Sequence, residues 1–134
     1  MIKLIVGTKG SGKTKTLIDM AKAAAETSKG NVVCVEKGDK LAREVPTSVR
    51  LINSDEYQVK GFANLYGFLA GILAGNYDIT ELFIDGILKI VDHNMDAAAK
   101  VLAEIDKIAG NSVEVVVTVS ADQASLPEGI KKYL

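Results

Sequence analysis

Four short apolar runs, rich in β-branched residues, constrain the fold of this chain more than any other feature. They cover residues 2–6, 32–35, 82–84 and 113–119, and most of them are continuous instead of alternating with polar residues. Continuous apolar runs of this length are typical of strands that are covered on both faces, as in a parallel sheet. A weaker run at residues 49–52 is a fifth candidate strand.

Helical patterns separate these runs. Apolar residues recur at three- and four-residue spacing in segments 13–28, 58–73 and 96–109, and Gly30 and Gly110 are suited to end two of these helices. Alternation of strands and helices at this spacing predicts βαβ units. We therefore expect an α/β fold of three layers, with helices on both faces of a mostly parallel sheet of four to five strands.

Length and composition exclude several classes of protein. The 134 residues contain no repeat or linker, so residues 1–134 are expected to form a single domain. A net charge of −1 gives no general attraction for nucleic acid, and one cysteine with one histidine argues against a disulfide or a Cys/His metal site. The longest apolar stretch, residues 61–74, is shorter than the ~20 residues that span a bilayer, and no signal peptide is apparent. We expect a cytoplasmic protein without membrane contact.

The turn between the first predicted strand and the first predicted helix carries the strongest functional signal. It reads G-T-K-G-S-G-K-T over residues 7–14, which fits the phosphate-binding pattern G-x-x-x-x-G-K-[ST]. Glycines allow backbone conformations that bring successive N–H groups toward an anion, and the following helix adds its free N–H groups and positive dipole end. Lys13 supplies a cation for the β- and γ-phosphates, and the Thr14 hydroxyl is placed to ligate Mg²⁺. The predicted phosphate site is Gly7, Thr8, Lys9, Gly10, Ser11, Gly12, Lys13 and Thr14.

A strand that ends in an acid follows this motif, in the order found in P-loop NTPases. Residues 81–85 read E-L-F-I-D, which resembles a Walker B motif apart from Glu81, where that motif often has an apolar residue. The chain thus resembles the P-loop NTPases, in particular their RecA-like (additional-strand) branch, and is similar to small stand-alone P-loop ATPase-like proteins of Gram-positive bacteria. The resemblance implies ATP and Mg²⁺ as ligands, with Thr14 and Asp85 at the metal. An ordinary helix cap is the alternative role for Asp85.

The resemblance also implies a part of the core for which this chain has little room. RecA-like cores have a fifth core strand after the one predicted at residues 113–119, but only fifteen residues follow Val119. We expect that strand to be absent or reduced to residues 133–134, and the open sheet edge to invite a second copy or a protein partner. Close packing of a helix, on its own sheet or between subunits, is predicted from the glycines at positions 61, 67, 71 and 75.

The catalytic base is a role for which the position next to Asp85 offers no residue. Many additional-strand ATPases place a glutamate directly after the Walker B acid, but Gly86 stands there in this chain. RecA-like recombinases carry their glutamate at the end of the second strand, which corresponds to Glu36. The predicted catalytic residues are therefore Lys13, Glu36 and Asp85. Asp39 is an alternative base, and ordinary loop acids at both positions are the other interpretation.

The end of the last predicted strand offers groups that could contact the γ-phosphate. In the branch that this chain resembles, a polar residue at the tip of that strand senses the γ-phosphate. Thr118, Ser120 and Asp122 are the available groups, and Ser120 is the predicted sensor. A plain transition from strand to loop is the alternative.

Three functions fit these residues. The first is Mg²⁺-dependent ATP binding with slow hydrolysis of the γ-phosphate by a minimal ATPase. The second is a nucleotide-dependent binding switch without meaningful hydrolysis, which the missing glutamate after Asp85 and the short chain favour. The third is a kinase for a nucleoside or another small molecule, although the chain has no arginine-rich lid. Elements that grip adenine in such proteins are missing as well, so we expect weak or undiscriminating recognition of the base.

Overall fold

Every predicted run forms a strand, and the five strands make one sheet in which all neighbours are parallel. The computed structural model describes all 134 residues. The strands follow the order β1-β5-β4-β2-β3 across the sheet. Their bounds are β1 Ile2–Gly7, β2 Asn31–Glu36, β3 Val49–Asn53, β4 Ile79–Asp85 and β5 Glu114–Ser120. The weak run at 49–52 is thus a true strand, and it forms one edge of the sheet.

The three long helices lie where the apolar spacing predicts them. They are α1 (Lys13–Thr27), α2 (Gly61–Gly75) and α4 (Met95–Ala109), and two short helices, α3 (Ile87–Ile90) and α5 (Glu128–Lys131), follow β4 and β5. Helix α2 begins three residues later than predicted. A 3₁₀ turn at Ser54–Tyr57 ends at Gln58, whose left-handed backbone (φ 57°) interrupts the helix, and Lys60 is extended.

Helices cover both faces of the sheet, which is compatible with a three-layer arrangement. Helix α1 packs on one face, where Leu17 and Ala21 meet Cys34, Phe83 and Val116 in a buried cluster. Helices α2, α3, α4 and α5 pack on the other face around a larger buried cluster. Successive side chains of a strand point to opposite faces of the sheet. Every second residue of β2, β4 and β5 therefore lies on the face that α1 covers, up to the ends of these strands.

No strand follows β5. The last residues form a 3₁₀ turn at Gln123–Ser125 and helix α5, which inserts the fully buried Ile130 into the larger cluster. Residues 133–134 follow α5 and lie in no strand. The strand that the resemblance placed here is therefore absent, and β1 forms the second edge of the sheet. None of the helices has the length and apolar character needed to cross a bilayer.

The glycines of α2 do not serve tight packing on the sheet of their own chain. A Cβ built at Gly67, Gly71 or Gly75 would meet no atom within 4 Å. The buried residues of this helix are Leu65 and Leu69, which pack into the larger cluster. The glycines point away from that contact, so the packing of α2 on the sheet depends on its leucines.

Two glycine substitutions test this placement of elements. A Cβ at Gly30 would lie 2.2 Å from the Asp78 carbonyl oxygen, whereas a Cβ at Gly71 has open space. We expect Gly30→Ala to lower the free energy of unfolding by about 1–3 kcal/mol, the usual cost of overpacking. The matched control Gly71→Ala should raise it by about 1 kcal/mol, because alanine is the better helix former. Urea unfolding followed by circular dichroism measures both, and a Gly30→Ala protein as stable as wild type would contradict the close approach of Gly30 and Asp78, the residues that directly precede β2 and β4.

Candidate functional site

The glycine-rich loop, residues 7–14, joins β1 to α1 in a conformation that its glycines make possible. Gly10 and Gly12 have φ angles of +83° and +90°, which residues with a Cβ rarely adopt. The Ser11 N–H donates to the Thr8 carbonyl over 3.1 Å and tightens the turn. No side chain caps the N-terminus of α1, which begins directly after Gly12. The first N–H groups of this helix are therefore available to an anion, at the positive end of its dipole.

The Lys13 side chain folds back over the glycine-rich loop. Its Nζ donates to the Thr8 carbonyl oxygen over 2.9 Å, and only 8% of the residue is exposed. Lys13 forms no ion pair, because the three salt bridges in the structure involve other lysines. An uncompensated ammonium group thus lies beside free helix N–H groups, which is an arrangement that favours a bound anion.

Asp85 connects three elements at the end of β4. The Thr118 hydroxyl, on β5, donates to Asp85 Oδ1 over 2.8 Å and accepts from the Gly86 N–H over 2.6 Å. The Thr14 hydroxyl, on α1, makes longer contacts of 3.4 and 3.5 Å with the two carboxylate oxygens of Asp85. The predicted pair Thr14 and Asp85 is therefore brought together. A hydroxyl and one carboxylate fit Mg²⁺, which usually takes its remaining ligands from substrate phosphates and water.

A cavity of about 520 Å³ opens between the glycine-rich loop and the ends of the strands. This volume lies in the usual range for small-molecule sites. Two further predicted residues, Thr118 and Ser120, line it, whereas Asp122 caps the following turn by accepting from the Ala124 N–H. The lining residues are Lys9, Gly10, Lys13, Thr14, Lys40, Asp85, Gly86, Leu88, Lys89, His93, Thr118 and Ser120.

Sequence reasoning missed three cationic or ionisable residues of this cavity. Lys40 lies four residues after β2, and Lys89 and His93 lie four and eight residues after β4. In a parallel sheet the carboxyl ends of all strands meet at one edge, so residues just after β2 and β4 are natural candidates for this cavity. That position after a strand end was the signal available in the sequence.

Glu36, the predicted base, lies near this cavity without lining it. The register pairs Glu36 with Asp85 on neighbouring strands, and Glu36 is only 3% exposed. Its Oε2 accepts from the Leu41 N–H over 2.8 Å. Burial is the main reason why the pKa of Glu36 is raised, and the charge of Asp85 adds to the effect. The alternative base, Asp39, lines a separate cavity of about 250 Å³.

Cys34 is not a reactive thiol. It lies two residues before Glu36 on β2, is fully buried and faces α1. Burial, followed by the charges of Asp85 and Glu36, raises the pKa of this thiol to about 12. The thiolate that would act as a nucleophile or a metal ligand is therefore scarce at neutral pH.

Comparisons with known proteins do not assign the chain to a family. A scan against models of protein families finds no match, and a search of curated proteins finds no significant match. The interpretation of the site therefore depends on its geometry. The relevant features are the backbone of the glycine-rich loop, the buried Lys13 ammonium group and the Thr14, Asp85 and Thr118 contacts.

The raised pKa of Glu36 gives a testable pH dependence of stability. The folded state holds the Glu36 proton more tightly than the unfolded state, where the pKa is about 4.3. This group therefore favours folding below the unfolded pKa, and that contribution is lost as the pH rises through the folded pKa. Glutamine does not titrate, so the stability of Glu36→Gln relative to wild type should rise between pH 4 and pH 8.

Urea unfolding at several pH values measures this difference. Glu26→Gln, at an exposed position on α1, controls for the removal of one negative charge. A stability difference between Glu36→Gln and wild type that does not change with pH would contradict the burial of an ionisable Glu36.

Proposed function

We propose that the chain binds a nucleoside triphosphate with Mg²⁺ at the glycine-rich loop and hydrolyses its γ-phosphate slowly, as a minimal P-loop ATPase. The observation that carries this proposal is the left-handed backbone at Gly10 and Gly12, which leads into an uncapped helix with the Lys13 ammonium group beside it. These three features supply N–H donors, a helix dipole and a cation to one volume. A phosphate chain is the ligand that uses all of them.

Each residue of the site has a distinct part in this proposal. The N–H groups of residues 8–14 other than that of Ser11, which donates to the Thr8 carbonyl, donate to phosphate oxygens, and Lys13 neutralises charge at the β- and γ-phosphates. Thr14 and Asp85 would hold Mg²⁺, which would supply positive charge against the charge that develops during phosphoryl transfer. Thr118 fixes Asp85, because one hydroxyl both accepts from Gly86 and donates to the carboxylate. Ser120 lines the same cavity as the proposed γ-phosphate sensor.

Glu36 is the proposed base for the attacking water. A carboxylate with a raised pKa is a better proton acceptor at neutral pH than an exposed one, and the burial of Glu36 provides that shift. Glu36 also lies in register with Asp85, on the strand next to β4 and on the face that α1 covers.

A nucleotide-dependent switch without meaningful hydrolysis is the second candidate function. The observation that favours it is the hydrogen bond from the Leu41 N–H to Glu36, which occupies one oxygen of the proposed base. Gly86 follows Asp85 directly and supplies no acid of its own. In this function, Glu36 holds the turn after β2, and nucleotide binding is the end point.

Recognition of the nucleobase is expected to be weak. Leu88 is the one apolar side chain that lines the cavity, and no Phe, Tyr or Trp lines it. Sites that bind a base firmly present apolar or aromatic surface to it. The phosphate chain therefore provides most of the affinity.

Replacing Lys13 tests the proposed function. Lys13→Ala should lower the affinity for Mg²⁺–ATP by about 10- to 100-fold, the value of a hydrogen bond to a charged group. Phosphate release should fall to background in the same variant. Calorimetric titration gives the affinity, and a coupled assay for phosphate gives turnover. Wild type should bind Mg²⁺–GTP within about tenfold of Mg²⁺–ATP, since tenfold corresponds to only about 1.4 kcal/mol.

The matched control is Lys15→Ala on the outer side of α1, where the lysine side chain is 81% exposed. This variant should behave as wild type in both assays. Binding of no nucleotide by wild type, or equal binding by wild type and Lys13→Ala, would contradict the proposed function.

Two variants of Glu36 separate hydrolysis from switching. Glutamine can still accept from the Leu41 N–H but cannot take a proton from water, whereas alanine can do neither. If Glu36 is the base, Glu36→Gln should keep the affinity for ATP and lose about 100-fold or more in turnover. Glu36→Ala should lose turnover and weaken the turn after β2. Turnover in Glu36→Gln equal to a measurable wild-type rate would remove Glu36 from the chemistry.

A further inference from the structure

The cavity beside the glycine-rich loop carries a local excess of positive charge that the motif does not explain. Four lysines and His93 line it, and Asp85 is the one acid among the lining residues. The chain as a whole has a net charge of −1, so this excess is local. Lys9 and Lys13 belong to the loop itself, whereas Lys40 and Lys89 come from the segments after β2 and β4.

Lys40 and Lys89 have no acidic partner in the structure. The three ion pairs join Lys15 to Asp19, Lys37 to Asp55 and Lys107 to Glu104. Two unpaired cations that line the same cavity repel each other and Lys13, since like charges in a partly enclosed volume are unfavourable. A bound polyanion removes that repulsion.

The backbone that carries each of these lysines is anchored by buried neighbours. Leu41, next to Lys40, is 1% exposed, and its N–H donates to the Glu36 carboxylate over 2.8 Å. Ile87 and Leu88, which precede Lys89, are 0% and 4% exposed. Both lysines therefore start from fixed positions although their ammonium groups reach solvent.

The stem of Lys89 passes close to the backbone of Gly86. Lys89 N–H donates to the Gly86 carbonyl over 3.0 Å, and its Cδ would lie 3.5 Å from a Cβ at Gly86. The stem of Lys89 thus runs past the backbone directly after Asp85. Any side chain at position 86 would stand next to that stem, at the mouth of the proposed metal site.

The order of the strands separates these lysines from the loop. Across the sheet the strands are ordered β1-β5-β4-β2. The glycine-rich loop follows β1, whereas Lys89 and Lys40 follow β4 and β2, which lie two and three strands away from β1. Thr14, Asp85 and Thr118 lie between these two groups of cations. A phosphate chain that begins at the loop and extends past the Thr14–Asp85 pair reaches the side of Lys40 and Lys89.

We propose that Lys40 and Lys89 bind the terminal phosphate of a triphosphate whose preceding phosphates are held by the glycine-rich loop. This inference rests on the proposed function and adds two binding residues to it. The chain thereby supplies its own cations to the γ-phosphate from the segments after β2 and β4. Selectivity for triphosphates over diphosphates is the property that these lysines confer.

The test compares triphosphate and diphosphate binding in a double variant. Lys40→Gln with Lys89→Gln should weaken binding of Mg²⁺–ATP by about tenfold, the sum of two partly exposed charge contacts, and change binding of Mg²⁺–ADP by less than about twofold. Inorganic tripolyphosphate and pyrophosphate, which lack a base, should show the same contrast. Calorimetry measures all four ligands. The matched control, Lys29→Ala with Lys100→Ala, removes the same charge from exposed positions outside the cavity and should leave the ratio of the two affinities unchanged.

The outcomes separate this inference from the function on which it rests. In one outcome, wild type binds ATP, Lys13→Ala loses this binding, and the Lys40→Gln, Lys89→Gln double variant binds ATP as wild type does. This outcome overturns only the roles of Lys40 and Lys89. Equal loss of ATP and ADP affinity in the double variant also overturns these roles, since it indicates a general electrostatic attraction for anions and no specific contact with the terminal phosphate. Wild type that binds none of the four ligands overturns both proposals. Triphosphate selectivity that is retained in Lys40→Arg with Lys89→Arg supports the inference. It shows that the selectivity depends on positive charge at these two positions.

Discussion

The left-handed backbone at Gly10 and Gly12 is the constraint on which the rest of the site depends. It turns the chain from the end of β1 into the start of α1 within five residues and leaves the first N–H groups of α1 without a capping side chain. A residue with a Cβ at either position would strain this turn, over which the Lys13 ammonium group lies. The turn therefore sets the free N–H groups and the position of Lys13, whereas Lys40 and Lys89 add positive charge to the cavity from other segments.

The parallel sheet brings the remaining groups to that turn. Because every strand runs in the same direction, β1, β2, β4 and β5 all end at the same edge. Alternation along the strands then decides which side chains face α1: Cys34, Phe83 and Val116 are buried against it, and Glu36, Asp85 and Thr118 follow two residues later. The Thr118 hydroxyl joins β5 to β4 and fixes the carboxylate that meets Thr14. The same strand register therefore determines both which side chains pack against α1 and which side chains meet at the site.

Much of this fold follows from the sequence, and the parts that do not have physical reasons. The continuous apolar runs and the helical spacing predict all five strands and the three long helices, because burial on both faces leaves a strong pattern. The left-handed Gln58 at the end of the 3₁₀ turn shortens α2, and nothing in the composition of residues 58–60 shows it. The glycines of α2 point away from the core because Leu65 and Leu69 occupy the buried face of the helix. The spacing of residues in the sequence does not show which face of α2 is buried.

The site was predictable in its motif and not in its surroundings. Residues 7–14 and Asp85 could be predicted as candidate site residues because they fit known sequence patterns, and the structure brings Thr14 and Asp85 together. The sequence alone does not fix the register of β5, which decides that Thr118 contacts Asp85 and that Thr118 and Ser120 both line the cavity. Lys40 and Lys89 lie on the segments that follow β2 and β4, and the conformation of these segments brings them to the cavity. Tertiary contacts such as the Glu36–Leu41 hydrogen bond determine that conformation, and the local sequence does not show them.

Amide resonances of the glycine-rich loop provide the most direct test of the central claim. A ¹⁵N-labelled protein titrated with Mg²⁺–ATP should show its largest shifts at the N–H groups of residues 8–14, with smaller shifts at Gly86 and Thr118, which adjoin the same cavity. Saturating Mg²⁺–ATP that leaves the loop resonances in place, or shifts only residues far from this cavity, would contradict the claim that these N–H groups surround a phosphate chain.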